Sequence, residues 1–169
     1  MALALSLAVA LAMSVAAAED DFELAPILYS TSTPDNPVSR LQARLDAAES
    51  TLTWDDSVGW LSSVLAALDV PTSSQTLVFS KTSLQQTRIS PRNPRALYFN
   101  DDVYVGYVRA GEVVEVSVAD PALGTVFYSL EQVPGERPRF ERRTEDCLLC
   151  HGGSQTRGVP GHIVRSVYP

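Results

Sequence analysis

Cys147-Leu148-Leu149-Cys150-His151 is the stretch of this sequence whose residue types and spacing could do chemistry. Its form, C-x-x-C-H, is the spacing at which c-type haem is attached. Two thiols three positions apart reach the two vinyl groups on one edge of a porphyrin and form thioethers. The histidine that follows is then held beneath the iron as its proximal ligand. Covalent attachment keeps a haem in place even where the polypeptide cannot bury it. Two other chemistries use a Cys pair at this spacing. An exported chain can close it into a disulfide or a thioredoxin-like redox pair, although no βαβ pattern precedes it and neither needs a His after the second Cys. Half of a zinc site is the other, but a closed site needs four ligands and the spacing to His162 is unusual.

The ligand inventory is short. Both Met residues, Met1 and Met13, lie in the first 18 positions, and both His and both Cys lie in the last 23. His162 is therefore the candidate for a distal iron ligand, with the turn-forming run Gly158-Val159-Pro160-Gly161 before it. Two imidazoles would give a lower potential than His with Met. A surface-loop role for His162, a ligand beyond Pro169 and an open sixth position are the alternatives. Gly152 and Gly153 would let backbone approach the haem edge. Arg142, Arg143 and Arg157 could pair with haem propionates or be surface charge.

The elements that must position these groups are legible upstream. Asn36-Pro37 starts a helix, with Asn at the N-cap and Pro at the first helical position. Val38, Leu41, Leu45 and Ala48 form its apolar stripe. A second helix is expected from Asp55 or Asp56, burying Val58, Leu61, Val64, Leu65 and Leu68 and stopped by Pro71. The two are expected to form a helical hairpin, with Trp54 and Trp60 as packing residues. After Pro71 the period becomes that of strands: Leu77–Phe79, Leu97–Phe99, Val103–Arg109, Val113–Val118 and Val126–Leu130, with Phe140 extending an edge. Thr82–Thr87 reads as one helical turn, and Ser90–Arg95 as a loop held extended by two prolines. Links of turn-forming residues join neighbouring strands in antiparallel order. The expected class is α+β: an N-terminal helical hairpin on an antiparallel meander sheet, followed by a loop-rich C-terminal haem-attachment segment.

Composition bounds the rest. The chain has 169 residues, 45% of them apolar and 20% charged, and a net charge of −7, which fits one globular domain and argues against a nucleic-acid protein. Met1–Ala18 carries no charged residue, ends Ala16-Ala17-Ala18 and turns acidic at Glu19. It reads as a cleaved secretory signal, although the usual basic opening is missing, and an uncleaved anchor is the alternative. Ten acids against two arginines make Glu19–Asp69 strongly negative, whereas Arg137–Pro169 carries six arginines and three acids. The expected organisation is a signal over 1–18, an acidic lead-in over 19–35, an α+β domain over 36–143 and a haem-binding segment over 144–169. Val164–Pro169 reads as interrupted, so that last segment is expected to continue.

Two stretches also carry a resemblance. Ile89–Tyr107 (ISPRNPRALYFNDDVYVGY) and the end CLLCHGGSQTRGVPGHIVRSVYP resemble uncharacterised secreted bacterial proteins with a cytochrome c domain, over about the last half of the chain. The C-x-x-C-H part is the specific one. In c-type cytochromes the two Cys bind haem covalently and the His ligates iron, so the resemblance implies those roles for Cys147, Cys150 and His151. It implies generic electron transfer and names no substrate. Small cytochromes c carry this motif near the N-terminus with a distal Met downstream, and this chain does neither. The expectation is a periplasmic or secreted carrier of covalent haem c and its iron, exchanging electrons with an unidentified redox protein. It would bind no nucleic acid, and would meet a membrane only through an uncleaved N-terminal segment. A haem-containing oxidoreductase subunit, a peroxidase-like enzyme and a haem-bearing sensor are the rival expectations.

Overall fold

A computed structural model describes residues 20–164; the signal expected over 1–18 and the end of the chain from 165 lie outside the described residues. Asn36 opens the first helix through a reciprocal exchange: its Oδ1 accepts the Ser39 amide and its own amide donates to Ser39 Oγ, both at 3.0 Å. The helix α1 (Pro37–Asp46) buries Val38, Leu41 and Leu45 of the expected stripe, but Ala48 falls past its end, exposed and at φ 57, where the helix has already stopped. Asn36 is itself buried, and its Nδ2 donates to Asp120 Oδ2 at 3.1 Å. The Asp35 amide donates to the same oxygen, and the amides of Ala122 and Leu123 donate to Oδ1. These donors satisfy a buried carboxylate, which fixes the start of α1 to the turn that follows residue 120.

The second helix departs from expectation at its start. Helix α2 runs Leu61–Ala67, not from Asp55 or Asp56. Asp55 Oδ1 accepts the amides of Ser57 and Val58 and the Ser57 hydroxyl, while Asp55 and Gly59 exchange backbone hydrogen bonds with Gly59 at φ 63. The carboxylate has closed a local turn rather than capped a helix. Leu61, Val64 and Leu65 enter the same core as α1. Trp60 is buried there, with Trp54 edge-on to it at 5.1 Å.

Six strands follow in an antiparallel meander, ordered as in the chain: β1 (Thr76–Val78), β2 (Arg95–Phe99), β3 (Val103–Val108), β4 (Val113–Asp120), β5 (Gly124–Glu131) and β6 (Phe140–Arg143). The mixed α+β class is thus as expected. The stretch Thr82–Thr87 forms turns and no helix; Ser83 Oγ and the Leu84 amide both donate to Glu115 Oε1, and these side-chain bonds replace the helical ladder. No helix among the described residues is long and apolar enough to cross a membrane.

The sheet has two differently covered faces. Val114, Val116 and Val118 of β4, with Val105 and Leu130, point into the core shared with α1 and α2. On the opposite face stand Leu97, Val108, Glu115, Ser117, Phe127 and Ser129, as alternation along the paired strands requires. At one side of that face Val78, Ile89, Leu97 and Val108 are buried outside the main core. The C-terminal segment lies across the other side.

Candidate functional site

The segment after β6 is held down residue by residue. Leu148 is buried and belongs to the main core, so it anchors the single turn α3 (Leu148–His151), with Cys147 at its N-terminal boundary. The neighbouring Leu149 is 84% exposed. Gly152 packs against Phe22: a Cβ there would lie 2.6 Å from a ring carbon, whereas one at Gly153 would meet nothing. The close approach at Gly152 is thus to Phe22. Further on, the Thr125 amide donates to the Pro160 carbonyl at 2.8 Å, and Gly124, at φ 77, leaves room for that carbonyl. Tyr29, fully buried, donates from its hydroxyl to the Thr125 carbonyl at 3.1 Å. The acidic lead-in therefore reaches the same corner of the sheet as the tail.

His151 is the best-defined group. Its Nδ1 lies 2.9 Å from the Gly161 carbonyl oxygen, and the Gly161 amide donates to the His151 carbonyl at 2.9 Å. A carbonyl only accepts, so Nδ1 carries the proton and Nε2 is the nitrogen with a free lone pair. The ring packs on Phe127 with centroids 4.7 Å apart. His162 follows directly after Gly161; its Nδ1 meets Ser117 Oγ at 3.1 Å and its ring lies 4.6 Å from that of Tyr104. A hydroxyl can donate or accept, so this contact leaves the His162 tautomer open. Tyr104, Ser117 and Phe127 are register partners across β3, β4 and β5. The two imidazoles thus sit along one row of the sheet.

Burial, foremost, holds the pKa of both imidazoles below the ordinary value. For His151 the Gly161 carbonyl opposes this, Arg95 adds to it and Glu115 opposes it; for His162 the nearby His151 adds to it. A depressed His favours the neutral folded form. The stability it gives is complete above the unfolded value of about 6.5 and is lost as pH falls through the lower folded values. In the haem-free chain, hydrogen exchange at the Gly161 and Thr125 amides is expected to lose protection between pH 7.5 and pH 5, after correction for intrinsic rates. Equal protection at both pH values would contradict this.

The cysteines are not bonded to each other, and they differ. Cys150 is exposed, while Cys147 packs against the core. Burial pushes the Cys147 thiol up to about 12, and the carboxylates of Glu115 and Asp146 push in the same direction. Against the ordinary value of 9.0, that shift leaves roughly a thousandth of the usual thiolate at neutral pH. Iodoacetamide is expected to modify Cys150 of the native haem-free chain ~100-fold faster than Cys147, and the two at similar rates in denaturant. Similar rates in the native chain would refute the buried setting of Cys147.

The arginines sort themselves by partner. Arg142 donates to the carbonyls of Tyr29 and Ser32 and lies 4.6 Å over the Tyr29 ring, which commits it to structure. Arg143 Nε donates to Ser129 Oγ, and Arg157 is exposed. Arg95 pairs with Glu115 at 3.0 Å, with both side chains largely buried; its Nε, like the Nε of Arg142, is buried without a hydrogen-bond partner among the described residues. Sequence reasoning missed Arg95, Glu115 and Phe127, and named Gly161 only as part of the turn before His162, not as the partner of His151. The polar alternation Glu115, Ser117 along a valine-rich strand is the signal that could have drawn attention to this face. Among the described residues no three His, Cys, Asp or Glu converge as a metal cluster. The chain matches no family model, no curated protein and no solved structure.

Proposed function

We propose that this protein carries one haem joined covalently to Cys147 and Cys150, with His151 as proximal iron ligand, and that it transfers electrons outside the cytoplasm. The observation that carries the reading is the His151 imidazole, whose Nδ1–H is committed to the Gly161 carbonyl at 2.9 Å. Metal-bound histidines use their second nitrogen in this way, since it fixes the tautomer and makes the ligating nitrogen more basic. The other residues fit the group. Both thiols are unpaired and three positions apart at a helical turn, and the buried Arg95 Nε–H on the same sheet face lacks an acceptor.

The residues around the motif have separate tasks in this reading. Leu148 anchors the turn, Phe127 restrains the imidazole plane and Gly161 holds the proton on Nδ1. His162 is the candidate sixth ligand, with Ser117 and Tyr104 orienting its ring. When bound, the haem supplies one-electron exchange at iron. The finer architecture belongs to the same reading: α1 and α2 as a helical hairpin behind the sheet, and residues 144–169 as the haem segment. So do a periplasmic or secreted location and an unidentified redox protein as partner. A potentiometric titration of the exported holoprotein tests it. A transfer centre cycles reversibly as a one-electron couple and resists carbon monoxide, which then binds in His162→Ala. Ready carbon monoxide binding by the parent protein would favour a catalytic or sensing haem instead.

A further inference from the structure

We propose that the buried Arg95–Glu115 pair sets the reduction potential of the haem centre, an inference that rests on the haem reading above. The pair occupies the sheet face that carries both imidazoles. Glu115 stands two positions from Ser117 along β4, and Ser117 is the register partner of Phe127, on which His151 packs. Arg95 reaches Glu115 past Gly106, where an added Cβ would come within 3.4 Å of both Arg95 and Glu115. The two side chains are only 13% and 16% exposed, so water and salt screen them little. By contrast Arg157, inside the tail, is exposed.

The signs follow from charge alone. On the same ligands the ferric centre carries one more positive charge than the ferrous. A nearby carboxylate therefore favours the ferric state and lowers the potential, and a nearby guanidinium raises it. Neither sign depends on which end of the pair lies nearer the iron. A unit charge ~10 Å from a redox centre, at an effective dielectric of about 20, shifts the one-electron equilibrium on the order of tenfold, or about 59 mV.

A structural role alone, tethering Ser83 and Leu84 to β4, makes no such split. Potentiometric titration of the holoprotein is therefore the test. Glu115→Gln keeps an oxygen acceptor for Ser83 and Leu84 and is expected to raise the midpoint by about that amount. Arg95→Gln is expected to lower it by a similar amount. Ser83→Ala removes a hydrogen bond and no charge, and should leave the potential nearly unchanged. Either charge variant decides the sign by itself should the other fail to fold. Potentials that ignore both charges, or that move in the same direction, would overturn the proposal while leaving the haem reading standing. A chain whose thiols take up no haem would remove both.

Discussion

Cys147→Ala with Cys150→Ala, exported from a host with the c-type maturation machinery, is expected to yield a folded chain with no haem that survives denaturation. The expected loss of covalent haem is complete, because thioethers need sulfur at both positions and the chain has no other Cys. The fold should survive. Leu148, rather than either Cys, carries the burial of the helical turn, and Cys150 is exposed. Cys147 packs only in part against the core, so its loss costs about 1 kcal/mol on the usual scale of one small apolar group. Haem staining after denaturing electrophoresis, beside a urea unfolding curve, separates chemistry from stability. A stained double variant would show attachment elsewhere. An unfolded one would show that the cysteines hold the fold together.

The largest effect on stability is expected at Tyr29. Its side chain is fully buried, its ring packs edge-on to Phe22 at 5.9 Å and beneath Arg142, and its hydroxyl meets Thr125. Burial pushes its pKa up to about 12, so the hydroxyl keeps the proton it donates. Tyr29→Ala would remove an aromatic side chain from a packed core, a change that costs about 3–5 kcal/mol. It would also remove the ring beneath the Arg142 guanidinium, whose hydrogen bonds to the backbone carbonyls of Tyr29 and Ser32 stay, and loosen β5 where the Thr125 amide holds Pro160. Tyr29→Phe keeps the ring and loses one hydrogen bond, for about 0.5–1.5 kcal/mol. Urea midpoints for the two variants measure this, and near-equal midpoints would refute the central packing role given to the ring.

Local signals were readable in the sequence and distant ones were not. The Asn36 cap, the stripe of α1 and the strands with short turn-like links all rest on neighbours within a few positions. Asp55 misled because Asp caps a helix or closes a turn with the same side-chain oxygen, and Gly59 four positions on decided for the turn. Residues 19–35 read as an acidic lead-in, yet Phe22 and Tyr29 are core residues. Their partners, Gly152, Arg142 and Thr125, lie about 100 residues or more away. The site divides in the same way. Cys147, Cys150 and His151 announce themselves by spacing, whereas Gly161 becomes a neighbour of His151 only once the tail folds back on itself, and Phe127 only once the tail lies across the sheet. Arg95 and Glu115 are on different strands, and only the register of β2, β3 and β4 brings them together.

The most direct test of the central claim is the pyridine haemochrome spectrum of the protein, exported from a host with the c-type maturation machinery, with acid-acetone extraction run beside it. The account predicts a c-type band, one haem per chain, that stays with the polypeptide after extraction. A colourless protein holding a Cys147–Cys150 disulfide would contradict it, and the C-x-x-C-H segment would then be a redox or structural pair.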